Sequence, residues 1–102
     1  MAKIPNGFEI IRAFEQFSPK HLAMEGDKIG LQIGTLNKPV TNVMVALDVL
    51  EEVVDEAIEK EVQLIIAHHP LIYRPLQKIA TDQASGRIVE KLIKHDIALY
   101  VA

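Results

Sequence analysis

The sequence has no cysteine and no tryptophan, and aromatic residues make up only 5% of its 102 positions. Without cysteine there are no disulfides, no thiolate metal site and no cysteine nucleophile, so any metal chemistry must rest on imidazole and oxygen. Basic residues are not in excess: eleven Lys and Arg face fourteen Asp and Glu, a net charge of −3. With no basic block, the electrostatic footprint of a nucleic-acid binder is missing. No apolar run approaches the ~20 residues that span a bilayer, and Met1 to Gly7 contains no apolar stretch that could serve as a secretion signal. There is no repeat, low-complexity tract or linker, no G-x-G-x-x-G and no G-K-[ST]. Neither Ser18, before a proline, nor Ser85, in a helical stretch, sits in a nucleophile elbow. The expectation is an intracellular, cytoplasmic, soluble chain that binds neither nucleic acid nor membrane.

What is present is an ordinary globular balance, 49% apolar and 25% charged, in a regular order of elements. Asn6 to Phe17 reads as a helix, with Asn6 and Glu9 forming a capping box and Ser18-Pro19 as its stop. Phe8, Ile11, Phe14 and Phe17 recur every third residue, a stripe for a core or a subunit interface. Gly26 to Gly34 contains a short alternating segment around Leu31 and Ile33, read as a strand, followed by a turn at Asn37-Lys38-Pro39. Val43 to Leu47 reads as a strand buried on both faces. Leu50 to Glu61 reads as a helix, Leu64 to Ala67 as the next buried strand, and Asp82 as the cap of a helix running to about His95. Ile97 to Val101 is the third strand of this series. Strand, helix, strand, helix, strand implies parallel pairing, so the class is α/β with a mostly parallel sheet and flanking helices over residues 1–102.

In such a sheet, ligands bind beyond the carboxyl ends of the strands. The strand 43–47 leads to Asp48, and the strand 64–67 leads to His68-His69-Pro70. Consecutive side chains leaving a strand point to opposite sides, which suits two ions a few Å apart better than chelation of one. The alternative is one buried histidine bonded to backbone and one solvated loop histidine. Asp48 has two compatible readings: a carboxylate facing the histidines as ligand, orienting group or general base, or the cap of the helix beginning near Leu50. Arg74 and Lys78 either hold a phosphate or carboxylate of a substrate or are ordinary surface cations. Glycines 26, 30 and 34 read as turn and close-packing residues. His21 and His95 receive no function, although His95 is well placed at a helix C-terminus.

Four blocks occur in a familiar order: Gly26-Asp27-Lys28-Ile29-Gly30-Leu31-Gln32-Ile33-Gly34, Val45-Ala46-Leu47-Asp48-Val49, Ile66-Ala67-His68-His69-Pro70-Leu71 and Lys94-His95-Asp96-Ile97-Ala98-Leu99-Tyr100. On these the chain resembles the N-terminal segment of the NGG-one-interacting-factor-three-like family, also known as GTP cyclohydrolase 1 type 2 homologues. Lys28 stands where the family commonly has Asn, and the Trp often found before the glycine-rich block is absent. The resemblance implies one half of a fold built from two similar α/β halves, hence the N-terminal part of a longer protein. It implies a toroidal homohexamer with two divalent metal ions per full-length subunit, with zinc, iron, manganese and magnesium not distinguished. His68 and His69 would be ligands; an Asp shortly after the third strand, and a His and a Glu near the C-terminus, would be the others, all beyond Ala102. The implied function is a metal-dependent hydrolase that opens the purine ring of GTP, its substrate a nucleotide or other phosphate compound. The alternative is a non-catalytic metal-binding assembly or regulatory protein.

Overall fold

The computed structural model describes residues 4–17, 30–72 and 74–102. The Ser18-Pro19 helix stop, His21, Gly26 and Lys28 lie outside the described residues. Within them the chain forms α1 (Gly7–Phe17), β1 (Gly30–Ile33), β2 (Val43–Ala46), α2 (Glu51–Glu59), β3 (Leu64–Ala67), α3 (Ala84–Lys94) and β4 (Ala98–Val101). The strands make one sheet in the order β1-β4-β3-β2. β2, β3 and β4 run parallel, as the alternation of strands and helices requires, while β1 adds to β4 antiparallel. The α/β class is as expected.

The two central strands, β3 and β4, are buried along their whole length, and their alternating side chains feed two cores. Ile65, Ala67 and Leu99 meet Val54 and Ala57 of α2 and Ile88, Val89 and Leu92 of α3. Leu64, Ile66, Ala98 and Tyr100 meet Ile11 of α1 together with Leu36 and Val40. Each fully buried aliphatic side chain contributes about 1.5–3 kcal/mol of burial free energy. Tyr100 also donates a 2.7 Å hydrogen bond to Glu15 Oε1, tying α1 to β4.

The capping box forms as read: Phe8 N donates to Asn6 Oδ1 at 2.9 Å, and Asn6 N donates to Glu9 Oε1 at 3.3 Å. The Phe stripe is only partly core. Spacing of three drifts by about 60° per step around a helix, so Ile11 is buried and Phe14 half-buried while Phe8 is exposed.

Three expectations need correction. The run Val43 to Leu47 is not buried on both faces. β2 is the sheet's edge strand; Met44 and Ala46 pack on the α2/α3 core, but Val43, Val45 and Leu47 are exposed, Val45 by 74%. An apolar run identifies a strand but not its place in the sheet. Asp82 does not cap α3: the helix begins at Ala84, Gln83 holds the cap position with no side-chain hydrogen bond, and Asp82 instead offers its carbonyl to Arg87 Nη1. Finally, α2 ends at Glu59, two residues before the expected Glu61. Its stop is a non-glycine Schellman turn: Glu61 adopts φ 55°, Glu61 N bonds Ile58 O and Val62 N bonds Ala57 O. α3 ends the same way, with Asp96 at φ 53° and Ile97 N on Leu92 O at 2.8 Å. In both cases a buried apolar residue follows the reversal, Val62 two residues before β3 and Ile97 immediately before β4.

Candidate metal centre

The register of β2 and β3 builds the site. Val43 pairs with Leu64 and Ala46 with Ala67, a constant offset of 21 (64 − 43 = 67 − 46) that brings Asp48 level with His69. The ladder continues past the strands: His68 N donates to Ala46 O at 3.1 Å and His69 N to Leu47 O at 2.9 Å. Two strand exits held this way place the Asp48 carboxylate against His69, with Oδ1 2.7 Å from Nδ1. An ionised carboxylate only accepts, so the imidazole donates from Nδ1, which leaves Nε2 outside this contact. Carboxylates commonly fix metal-ligating histidines in this way. Both side chains are 48% exposed.

His68 and His69 do not diverge to opposite sides as a strand exit would have them. β3 ends at Ala67, both histidines lie in bends, and their rings sit side by side with centroids 4.9 Å apart and planes 45° to each other. Nor is either one buried; the buried-plus-solvated alternative does not describe them. The two imidazoles together can offer nitrogen ligands to divalent ions. Among the described residues no group of three or more His, Asp or Glu side chains is placed to hold a metal ion.

The cap reading of Asp48 is overturned. Leu50 occupies the N-cap of α2 in extended conformation, with no side-chain hydrogen bond, and Asp48 is turned to His69 instead. Its Oδ1 is engaged there, which favours an orienting role over a general base. His95 is the C-cap residue of α3, as expected from its place at the helix end.

Arg74 and Lys78 both lie on the exposed loop that follows the histidines, where they line a shallow cavity of about 730 Å³ with Leu71, Pro75 and Leu76. Neither forms an ion pair among the described residues. Sequence reasoning missed Gln32, because a lone amide between Leu31 and Ile33 reads as a solvent-facing strand residue. Its Oε1 accepts from Leu71 N at 3.1 Å and Ile72 N at 3.0 Å, and its Nε2 donates to Ile72 O at 2.8 Å.

Comparison with known proteins bears on this geometry. Residues 5–102 match the family Duf34/NIF3 (NGG1p interacting factor 3). The chain is 72% identical over 102 residues to the GTP cyclohydrolase 1 type 2 homolog of Bacillus subtilis, covering 100% of this chain and 27% of that protein. It therefore spans about a quarter of the length of that curated relative. Among solved structures, a Bacillus cereus protein related to NIF3 superposes with a TM-score of 0.96 at 68% identity, over 99% of this chain and 28% of the other. Reduced HcgD from Methanocaldococcus jannaschii superposes with a TM-score of 0.89 at 36% identity, over 96% of this chain and 39% of the other. With nearly its whole length matched, and the Asp48 and His69 strand ends inside that match, the chain belongs to the Duf34/NIF3 family.

Proposed function

We propose that the whole protein holds two divalent metal ions per subunit and acts as a metal-dependent hydrolase of the GTP cyclohydrolase 1 type 2 kind. In this reading His68 and His69 are two of the protein ligands, and Asp48 orients His69. Bound divalent ions supply Lewis-acid activation of water. The observation that carries the reading is the 2.7 Å contact between Asp48 Oδ1 and His69 Nδ1, which leaves the other ring nitrogen of His69 outside the contact, beside a second imidazole. The name borne by the Bacillus subtilis relative supports the substrate class. Imidazole and carboxylate ligation suits zinc, iron, manganese and magnesium alike. Arg74 and Lys78, on the loop next to the histidines, are suited to a substrate phosphate. The segment serves as one of two similar α/β halves, and the protein works in the cytoplasm.

A second reading draws on the exposed Val43, Val45 and Leu47 at the sheet edge. An apolar edge strand asks for a partner, which supports a homo-oligomer, a toroidal homohexamer in full-length form, whose metals serve assembly or regulation without turnover.

The test is metal content per chain and GTP consumption for full-length protein purified without chelator, wild type beside the His68→Ala/His69→Ala double variant. The hydrolase reading expects near-stoichiometric metal and metal-dependent turnover in wild type, both lost in the variant. Metal-loaded wild type inert towards GTP and other phosphate compounds would leave the assembly reading. Equal metal in both proteins would remove the histidines from the site.

A further inference from the structure

Gln32 does something its position in β1 does not require. β1 and β4 pair Leu31 with Tyr100 and then Ile33 with Leu99, so the register shifts across Gln32, which stands opposite no residue of β4. Such a bulge bends the strand and re-aims a side chain. Here it lets two consecutive residues serve one side of the sheet. Ile33 enters the α2/α3 core, and Gln32 reaches Leu71 and Ile72, which pack against that same core. A regular strand would send them to opposite faces.

The amide then closes on backbone. Its oxygen takes the N–H groups of Leu71 and Ile72, and its nitrogen gives to the Ile72 carbonyl. These groups belong to the stretch immediately after Pro70, which has left the β3 ladder and has no strand partner of its own. The histidine segment is thus held at both ends: by Ala46 O and Leu47 O on the side of β2, and by the Gln32 side chain on the side of β1. Pro70 lies between the two fixings, and its ring restricts the remaining backbone freedom.

We infer that Gln32 is a positioning residue for the metal centre: its side-chain amide clamps the Leu71–Ile72 backbone and so fixes the direction in which the His68–His69 pair faces. This rests on the reading of the histidines as metal ligands. It assigns to the glycine-rich block a role that glycine does not explain. A methionine at this position keeps the length but loses all three bonds; a glutamate keeps the acceptor for Leu71 and Ile72 and loses the donor to Ile72 O.

The experiment uses full-length protein, with Co²⁺ as the metal probe read by its visible absorption, and amide hydrogen exchange as the readout independent of metal. Gln32→Met should speed exchange at Leu71 and Ile72 by roughly tenfold, leave Ile65 and Leu99 in the sheet centre protected, and weaken Co²⁺ binding about 10–100-fold with an altered spectrum. Gln32→Glu should fall between Gln32→Met and wild type. Faster exchange at Leu71 and Ile72 with wild-type Co²⁺ affinity and spectrum overturns the inference, because the clamp would then hold a loop and nothing more. If Gln32→Met also loses protection at Ile65 and Leu99, the decision passes to Gln32→Glu on the same criteria. The double variant His68→Ala/His69→Ala runs alongside. If it binds Co²⁺ like wild type, the ligand reading has failed and the positioning role falls with it. If it loses Co²⁺ while the Gln32 variants do not, only the positioning role falls.

Discussion

At the scale of single residues, Asp48 decides how much of the proposed centre is prepared before any ligand arrives. Its carboxylate holds His69 in one tautomer, and with both groups half exposed the pair is worth little to folding. Asp48→Ala in the full-length protein should therefore weaken Co²⁺ binding about 10–100-fold. Its urea midpoint should move by no more than corresponds to about 0.5 kcal/mol. Asp48→Asn, whose oxygen can still accept from Nδ1, should recover part of the loss. Unchanged affinity in Asp48→Ala would make the carboxylate a bystander. The histidines and Asp48 were legible in the sequence because each follows an apolar strand run. Gln32 was not, because a polar residue in a short strand ordinarily means a solvent-facing side, and only the bulge turns it inward. Gly86 was equally silent: a Cβ there would come within 1.9 Å of Ala80 O, a close approach between α3 and its incoming loop that nothing in the helical pattern announces.

At the scale of elements, α2 and α3 are joined by more than their shared core. Glu51 pairs with Arg87 and Lys91, and Asp55 pairs with Lys91, at 2.6–3.1 Å. The Arg87 hydrogen bond, then that of Lys91, holds the Glu51 carboxyl below its ordinary 4.5. Asp55 first, then Glu51, holds Lys91 above its ordinary 10.5. A carboxyl lowered on folding binds fewer protons in the folded state. Its contribution is therefore present above 4.5 and lost as pH falls through the lower folded-state value. That of Lys91 is complete below 10.5 and lost as pH rises through its raised value. Urea unfolding as a function of pH checks this: Glu51→Gln should flatten the acid limb of the stability profile relative to wild type. An acid limb of unchanged slope would show that the cluster is solvated and contributes nothing. Glu51 and Asp55 stand four apart in the sequence, but nothing there pairs them with Arg87 and Lys91, since a strand and a long loop lie between the two helices.

At the scale of the whole molecule, the four-stranded sheet divides its faces unevenly. One carries α2 and α3 across β2, β3 and β4; on the other, α1 covers β3 and β4 and leaves Val43, Val45 and Leu47 open. Contiguous apolar surface on an edge strand invites association. Sedimentation of the 102-residue chain should show self-association that Val45→Lys reduces without changing stability by more than about 0.5 kcal/mol. A wild-type chain that stays monomeric at high concentration would contradict this. Fold class was legible because periodicity reports each element separately. Sheet order was not, because the strength of an apolar run says that a side chain wants cover and not whether its neighbours provide it.

The alignment of Asp48 with His69 is a matter of counting. Each stands two residues beyond a paired alanine, Ala46 on one strand and Ala67 on the next, so the match is indexed by the ladder and indifferent to what joins the strands. The α2 crossover can grow or shrink without disturbing it, whereas one residue inserted between Ala46 and Asp48, or between Ala67 and His69, shifts a single side and parts the carboxylate from its imidazole. Variation in length is tolerated in the crossover between the strands, and not in the paired residues of the ladder or in the two single-residue gaps that follow them.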